Sequence, residues 1–274
     1  MEIRIEFVED PVLVLSKAGE FLASQSVLHN LILSLLHARA AQPEPGRYWV
    51  AMERDRVVGV VLQSPMTFAA TLTPMDPRVT AAIVEAIATT DVSLPGVNGE
   101  AGTAASFAGH WSERRKSGAT PFQGNRLYEL SKMGDSNGLE GQLRQALPSD
   151  RNLVLHWARG FQTEVGEPAD DTEVRVDRWL AAGEIWLWDN GEAKSMAIAR
   201  QPIEGVVRVS GVYTPAENRN CGYAAACVHA LSKHMRDAGF RCVLYTDLAN
   251  PTSNSIYRRI GYRAVAEVLR YRFE

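Results

Sequence analysis

Two segments near the end of the chain carry residue types suited to anion binding and to proton transfer. The first reads Arg-x-x-Gly-x-Ala, with Arg219, Gly222 and Ala224 between a β-branched segment and an apolar helical stripe. Backbone N–H groups at a helix start have no intrahelical partner and lie at the positive end of the helix dipole, which favours a phosphate. A glycine there lets the ligand approach the backbone closely. The alternative is an ordinary strand-to-helix turn.

The second segment places three polar side chains on one side of a short helix. Asn250, Ser253 and Tyr257 stand at positions i, i+3 and i+7. Pro251 suits the first helical position, and Asn250 suits the cap. A phenol in a pocket wall can donate a proton, which would make Tyr257 a candidate general acid. The alternative is that Asn250 only caps the helix and Tyr257 only packs.

Together the two segments resemble the GNAT superfamily of N-acetyltransferases. In that family Gln/Arg-x-x-Gly-x-Gly/Ala binds the pyrophosphate of coenzyme A. The pattern Asn-x-x-Ala/Ser-x-x-x-Tyr-x-x-x-Gly-Phe/Tyr follows one helix and one strand later, and here it runs from Asn250 to Tyr262. The match is close from about Glu184 to the C-terminus, and before that it covers only two plausible helices.

The resemblance implies acetyl-CoA as co-substrate and no metal. Acetyl-CoA would lie in a V-shaped cleft between two parallel strands, and a neutral amine would attack its thioester directly. Tyr257 would protonate the leaving thiolate, since its ordinary pKa of about 10 keeps it protonated at neutral pH. The implied cofactor-binding residues are Val212, Tyr213, Thr214, Arg219, Asn220, Cys221, Gly222, Tyr223, Ala224 and Asn250.

The general base and the acceptor amine cannot be identified from the residues. Glu164, Glu184 and Asp247 are possible bases, but each also suits an ordinary surface acid or a cap. The acceptor could be a small-molecule or a peptide amine. The resemblance therefore predicts an acetyl-CoA-dependent N-acetyltransferase acting on a primary amine. The alternative is a non-catalytic acyl-CoA-binding or regulatory protein with the same fold.

The elements around these segments follow the order of an α/β domain. Segments 206–214 and 241–246 are rich in β-branched residues and predict strands. An apolar stripe predicts a helix over 222–238, which Gly239 ends. A short helix from Pro251 to Gly261 and a last strand over 262–273 follow. Before them, 152–164 and 174–182 read as two helices.

A repeat with a period of half the chain indicates a duplication. Tyr48–Pro65 and Ile185–Pro202 both read as strand, polar turn, strand and proline stop, and equivalent tryptophans and prolines lie 137 residues apart. A helix over 26–41 precedes the first hairpin. We predict two GNAT-like domains, 1–132 and 133–274, each an α/β (α+β) fold with a mixed, mostly antiparallel sheet flanked by helices. Only the second would have the cofactor cleft.

The first copy reads as degenerate. Where a phosphate loop is expected, it has Gly96-Val-Asn-Gly99-Glu100-Ala101, and the Glu100 carboxylate would repel a phosphate. No counterpart of the Asn250–Gly261 helix is evident. We therefore expect coenzyme A to bind only the second domain. Whether the first domain shapes the amine site or only packs stays open.

Composition excludes several classes of protein. The 274 residues are 46% hydrophobic and 22% charged, as in a soluble globular protein rather than a disordered one. A net charge of −3 argues against a nucleic-acid partner, although residues 200–274 hold 11 basic against 6 acidic side chains. Three cysteines without a CxxC pattern predict neither a disulfide framework nor a zinc site. We expect no leader peptide, no membrane association and a cytoplasmic location.

Overall fold

The computed structural model describes residues 2–136, 138–166 and 171–274. Packing divides them into two compact units. The first contains Met1–Leu127, Asp247–Ala249 and Ala264–Glu274, and the second contains Tyr128–Thr246 and Asn250–Arg263. The last strand of the chain is thus packed with the first unit, although the sequence assigned it to the second domain. The boundary at residue 132 remains a prediction about the two copies.

Among the described residues, the first half of the chain has six strands and four helices. In order they are β1 (Ile3–Val8), α1 (Pro11–Ser24), α2 (Asn30–Ala41), β2 (Arg47–Glu53), β3 (Arg56–Gln63), β4 (Ala70–Leu72), α3 (Pro77–Ala88), β5 (Gly96–Glu100), α4 (Ala101–Arg115) and β6 (Ala119–Leu130).

The second half repeats this order of elements. It consists of β7 (Gln142–Gln145), α5 (Arg151–Val165), α6 (Thr172–Ala181), β8 (Ile185–Asp189), β9 (Ala193–Ala199), β10 (Val206–Tyr213), α7 (Tyr223–Asp237), β11 (Arg241–Asp247), α8 (Pro251–Ile260) and β12 (Tyr262–Phe273). The common order of strand, two helices, three strands, helix, strand, helix and strand agrees with a duplication.

The first unit has a mixed sheet with one parallel pair. Its strands follow the order β1-β2-β3-β4-β5-β12. Only β4 and β5 are parallel, and the other neighbours are antiparallel. β12 lies beside β5, with Val268 opposite Glu100 and Arg272 opposite Gly96. Helix α3 buries Ile83 against this sheet, and helix α4 buries Phe107 and Trp111 against it.

The second unit has the same pattern. Its strands follow the order β11-β10-β9-β8-β7, with β10 and β11 parallel and the others antiparallel. On one face α7 and α8 pack on the sheet through buried residues such as Cys227, Leu231 and Tyr257. On the other face α5 and α6 contribute Trp157 and Trp179. The prediction of a mixed, mostly antiparallel sheet flanked by helices is confirmed.

The repeated hairpins that suggested a duplication are β2–β3 and β8–β9, at equivalent positions in the two sheets. The expected helix over 26–41 begins only at Asn30, and α1, which is capped by the Asp10 carboxylate, was not foreseen. None of the described helices is long and apolar enough to cross a membrane. The described residues also contain no cluster of three metal-ligating side chains.

Candidate functional site

The parallel pair β10–β11 of the second unit opens part-way along its length. Paired residues run from Val206 beside Arg241 to Val209 beside Leu244, and the pairing stops there. Both strands continue beyond this point, β10 as far as Tyr213. The ends of the two strands are therefore not joined by ladder hydrogen bonds, which leaves backbone groups of both strands facing a cleft.

A bulge in β10 accounts for this opening. The register between β10 and β9 shifts between Ser210 and Tyr213. Gly211 lies within the shift at φ +56°, in the left-handed region. A Cβ at this position would lie 2.6 Å from Cδ1 of Ile198, so the close packing also requires glycine. Bulges bend a strand and end its regular pairing, and they recur beside active sites.

The three residues at the end of β10 are held from the side of β9. The Ser195 hydroxyl donates to the Tyr213 carbonyl at 3.0 Å, and the Thr214 hydroxyl donates to Ser195 Oγ at 2.9 Å. Val212 packs against the core cluster under α7. The side chains around Val212–Thr214 thus fix this segment in place beside the cleft.

Helix α7 begins in the loop that follows β10. Its N-cap is Gly222 at φ +84°, preceded by Asn220 at φ +61°. Asn220, Cys221 and Gly222 are exposed, and Tyr223 and Ala224 are half-buried. Gly222 has no side chain with which to cap the helix. The first-turn N–H groups and the positive end of the dipole therefore meet an exposed loop, as an anion site requires.

Arg219 is already engaged in this structure. Its Nε donates to the Thr214 carbonyl at 2.9 Å, and its guanidinium pairs with the Glu164 carboxylate and lies 5.7 Å from the centre of the Tyr213 ring. The Glu164 pairing raises the pKa of Arg219. Both members of the pair are exposed, and such pairs contribute roughly 0–1 kcal/mol, so a phosphate could replace the carboxylate at small cost.

The cap of α8 is the expected asparagine. The Asn250 side-chain oxygen accepts from the Ser253 N–H at 3.0 Å, and Pro251 occupies the first turn. Gly261 ends the helix at φ +111°, where a Cβ would collide with the Lys132 carbonyl. The capping role weighed for Asn250 is thus observed, and a contact with a cofactor remains a prediction.

Tyr257 is buried in the cluster that also contains Val209 and Leu244, the last parallel pair before the cleft. Its side chain is 9% exposed, and its ring makes an edge contact with Tyr262 at 6.2 Å. Within the described part of the chain, its hydroxyl has no hydrogen-bond partner. Burial, with a smaller effect of nearby Cys227, raises the pKa of Tyr257 to about 12. The phenol is therefore protonated at neutral pH.

One of the three cysteines is exposed and the other two are buried. Cys221 is exposed, and its Sγ lies 3.4 Å from the Arg219 carbonyl. Burial raises the pKa of both Cys227 and Cys242 to about 12. Because a thiol must ionise to act as a nucleophile, neither buried cysteine is suited to carry an acyl group.

Each of the three possible bases is already hydrogen-bonded within the protein. Two of them pair with arginine side chains, and the third accepts from a backbone N–H two residues further along the chain. Glu164 pairs with Arg219. Glu184 accepts from Arg200 and from the Gln201 N–H at 3.0 and 3.1 Å. Asp247 accepts from the N–H of residue 249 at 2.7 Å. These bonds give each carboxylate a structural role, and none of them singles out a base.

Comparison with known proteins places this arrangement in a fold family. Residues 192–271 match the family described as FR47-like protein. No curated protein is similar in sequence to the chain. Among solved structures, an acetyltransferase from the GNAT family of Colwellia psychrerythraea is 12% identical, with a TM-score of 0.64 over 99% of this chain and 100% of the other. The chain has a tandem GNAT fold.

Two further structures support the same assignment over the whole length. A GCN5-related N-acetyltransferase from Sphaerobacter thermophilus is 13% identical, with a TM-score of 0.63 over 98% of this chain and 95% of its own. A tandem GNAT protein from the clavulanic acid biosynthesis pathway is 10% identical, with a TM-score of 0.57 over 98% of both chains. At these identities the similarity shows the fold.

The GNAT topology corrects the alignment expected for the first half. Gly96–Glu100 is strand β5, the counterpart of β11, and not a phosphate loop. Its glycines serve packing, because a Cβ at Gly96 would collide with the Tyr271 carbonyl and one at Gly99 would lie 3.0 Å from Leu72. The glycine spacing suggested a loop because sequence alone does not show which strand lies alongside.

The helix expected to be missing from the first GNAT copy is present as α4. Glu100 caps it, accepting from the N–H groups of Gly102 and Thr103 at 2.9 Å each. Burial raises the pKa of Glu100, but these bonds outweigh it and leave the pKa below its ordinary value. Glu100 thus occupies the position of Asn250, and it does not face a phosphate loop.

The true counterpart of the phosphate loop is the segment before α3. There Asp76 is the N-cap, and its carboxylate accepts from the Arg78 N–H at 2.8 Å. Pro77 at the first helical position has no N–H to donate. The helix start therefore carries a fixed negative charge and one donor fewer. This agrees with a first GNAT copy that does not bind phosphate, for a reason different from the one expected.

Proposed function

We propose that this protein transfers an acetyl group from acetyl-CoA to a primary amine. The observation that carries the proposal is the combination, in the second unit, of an open parallel strand pair with a following helix whose N-cap is a glycine. The bulge at Gly211 opens the strands, and Gly222 begins the helix. The sequence match of residues 192–271 covers both features and α8.

Backbone groups would provide most of the binding. The end of β10, Val212–Thr214, would hold the pantetheine arm, and the N–H groups of 220–224 would hold the pyrophosphate. Arg219 would exchange Glu164 for a phosphate oxygen. Since the side-chain oxygen of Asn250 already caps α8, its amide NH₂ is the group left to face a ligand.

The chemistry assigned to this chain is the movement of one proton. Acetyl-CoA supplies an acetyl thioester. Tyr257 holds its proton at neutral pH, and its hydroxyl has no partner within the described residues, so it is suited to donate to the departing sulfur. The amine nitrogen would bond to the acetyl carbon as the carbon–sulfur bond breaks, and the proton that the nitrogen loses would pass to solvent, from which Tyr257 regains its own. The buried Cys227 and Cys242 stay protonated and are not suited to carry an acyl group.

An assay of thiol release tests the proposal. The protein is incubated with acetyl-CoA and a panel of amines and amino acids, and free coenzyme A is followed with a thiol reagent. We expect release that depends on an amine and gives stoichiometric acetylated product. Calorimetric titration with coenzyme A should give one site per chain, because of the two equivalent helix starts α7 has a glycine at its N-cap and α3 has the Asp76 carboxylate.

The outcomes also separate the alternative function. Binding of coenzyme A without release of thiol for any amine would favour a non-catalytic acyl-CoA-binding protein. Two equivalent sites per chain would show that the start of α3 binds the cofactor despite Asp76 and Pro77. Absence of any binding would refute both functions.

A further inference from the structure

A group of charged side chains lies on the face of the second unit's sheet opposite to α7. Val207 and Val209 of β10 belong to the cluster under α7, so Arg208 between them faces the other side. The same alternation in β11, where Leu244 joins that cluster, places Tyr245 on the face of Arg208. Arg208 is partly buried there.

Two more arginines lie near Arg208 on this face. The Arg200 N–H donates to the Arg208 carbonyl at 3.1 Å. The Arg200 guanidinium lies 4.6 Å from the centre of the Trp179 ring, and that of Arg175 lies 5.1 Å from the same ring. We call Arg175, Arg200 and Arg208 the arginine cluster. All three belong to the second unit.

The arginine cluster holds more positive than negative charge. Its buried carboxylate is Glu184, which pairs with Arg200 and also accepts from the Gln201 N–H. The Arg208 guanidinium has no hydrogen bond or ion pair in the described ranges of the chain. Burial lowers the pKa of Arg208, and the smaller effects of Tyr245 and Glu184 do not restore it.

Burial likewise lowers the pKa of Arg200, and its neighbours Arg208 and Arg175 oppose its charge. Partly buried cations that repel one another and outnumber their counter-charges are unfavourable unless another group supplies a further anion. A functional reason for keeping them is therefore an anion that binds from outside.

The position of Arg208 relates this anion to the cleft. Arg208 precedes Ser210, where the bulge begins, by two residues, or about 7 Å along the strand. By the same alternation Ser210 faces the same side as Arg208. An amine in the cleft and a charged group at Arg208 can therefore belong to one small molecule.

We propose that Arg208 binds a carboxylate of the acceptor, so that the acceptor is an amino acid or another amine that carries an acid group. This rests on the proposed acetyl transfer. Arg208 determines specificity: it contacts the acceptor away from the reacting nitrogen. Arg200 and Arg175 keep the site positive, and Glu184 fixes the orientation of Arg200.

Matched acceptors test the proposal. Each amino acid of a panel is compared with its own amide, which keeps the amine and the side chain but lacks the negative charge. For wild type we expect kcat/KM at least about tenfold higher for the acids that react, since charge-assisted hydrogen bonds are the strong ones. Arg208→Gln should abolish this preference by raising KM with little change in kcat. Arg208→Lys should restore part of it.

Three controls keep the result specific. Arg263→Gln removes an exposed arginine of the same unit and should leave the preference unchanged. The KM for acetyl-CoA should be unchanged in Arg208→Gln. The melting temperature of Arg208→Gln should equal or exceed that of wild type, because an unpaired charge has been removed. A clear loss of stability would make Arg208 a structural residue and overturn the proposal.

The remaining outcomes separate this proposal from the proposed function. Acetyl transfer without any preference for acids overturns the role of Arg208 and leaves acetyl transfer standing. If no amine is acetylated, N-acetylated amino acids and their N-acetylated amides are titrated onto the protein loaded with coenzyme A. Tighter binding of the acids that is lost in Arg208→Gln supports the site, and equal or absent binding overturns it.

Discussion

The starts of α3 and α7 occupy the same place in two copies of one fold, yet they offer a ligand opposite charges. At α7 the cap is Gly222, and first-turn N–H groups meet an exposed loop. At α3 the Asp76 carboxylate caps the helix, and Pro77 removes one donor. Both solutions satisfy a helix start, but only the first leaves room for an external anion. The two caps therefore make the start of α3 less suited to an anion than the start of α7.

The helices α8 and α4 differ in a similar way. Each is capped by a side chain of the preceding residue, Asn250 in one copy and Glu100 in the other. The seventh helical residue is Tyr257 in α8 and Phe107 in α4, and both rings are buried. The first copy therefore keeps the packing of this position and lacks the hydroxyl.

The largest expected effect is that of Gly222→Glu on the affinity for coenzyme A, since this variant puts a carboxylate at the start of α7 like the one at the start of α3. In Gly222→Glu a carboxylate stands where a phosphate would bind, and a side chain blocks the approach to the backbone. We expect coenzyme A affinity to fall by at least about 100-fold, measured by calorimetry.

The matched control for this variant is Gly239→Glu, at the other end of the same helix. Gly239 also has a left-handed backbone, at φ +90°, and an added Cβ meets no atom within 4 Å. It should show the same backbone strain and near-normal affinity. Equal losses in two folded variants would place the phosphates elsewhere.

The next largest effect is that of Tyr257→Phe on turnover, since this variant puts in α8 the phenylalanine that α4 has at the equivalent position. Tyr257→Phe removes one hydroxyl and keeps the packing, so a packing role predicts little change. General acid catalysis contributes roughly 10²–10⁴-fold, and thiolate is already a fair leaving group, so we expect turnover to fall at least about tenfold. The KM for acetyl-CoA should change less, because the hydroxyl matters mainly as charge develops on sulfur.

Tyr262→Phe is the matched control for Tyr257→Phe. Tyr262 is a buried neighbour of Tyr257 whose hydroxyl is hydrogen-bonded with Ser232 at 2.8 Å. Its removal should cost stability, measured as melting temperature, and leave turnover largely unchanged. Unchanged turnover in Tyr257→Phe, measured where chemistry limits the rate, would leave Tyr257 as part of the pocket wall only.

A smaller effect is expected from freeing Arg219. Glu164→Gln removes the carboxylate that competes with a phosphate for the guanidinium. Because an exposed pair contributes roughly 0–1 kcal/mol, coenzyme A affinity should rise about two- to fivefold. Glu173→Gln, which disrupts the exposed pair with Arg159 on α5, serves as control and should change nothing. A weaker affinity in Glu164→Gln would mean that the pair helps to form the site.

The smallest effect is expected from a change of pH, because turnover should stay constant over the range in which Tyr257 keeps its proton. A group whose pKa is raised keeps its proton to higher pH, so Tyr257, with its pKa raised to about 12, remains a donor throughout the neutral and mildly basic range. Turnover at saturating substrates should therefore not decline between about pH 7 and pH 10. A decline in that range that disappears in Tyr257→Phe would mean that the phenol ionises earlier.

Much of the secondary structure of the second unit could be predicted from local sequence patterns. The strand over 206–214, the helix over 222–238 and the cap at Asn250 follow from residue types within a few positions, and the structure has all three. The bulge at Gly211 escaped notice because it is a shift of register between β10 and β9, and register depends on the neighbouring strand. The pair of Arg219 with Glu164 joins residues on different elements, and no periodicity indicates it.

The first unit was harder for a related reason. Gly96 and Gly99 look like a flexible loop when considered alone. They are strand residues because β12 lies close beside one of them and Leu72 of β4 beside the other. Glu100 was expected to repel a phosphate from a loop, but the structure places it at the end of β5, where it caps α4. Register and neighbouring strands are long-range properties, which a local pattern cannot contain.

The placement of β12 beside β5 has a consequence for how the molecule is made. The N-terminal part of a chain leaves the ribosome first, and domains generally begin to fold in that order. Here the sheet of the first unit lacks a strand until residues 264–274 have been synthesised. Until then β5 presents an unpaired edge, a known template for aggregation. The unit that is translated first is therefore completed only after the second, and a nascent chain that stalls before residue 264 exposes this edge to other chains.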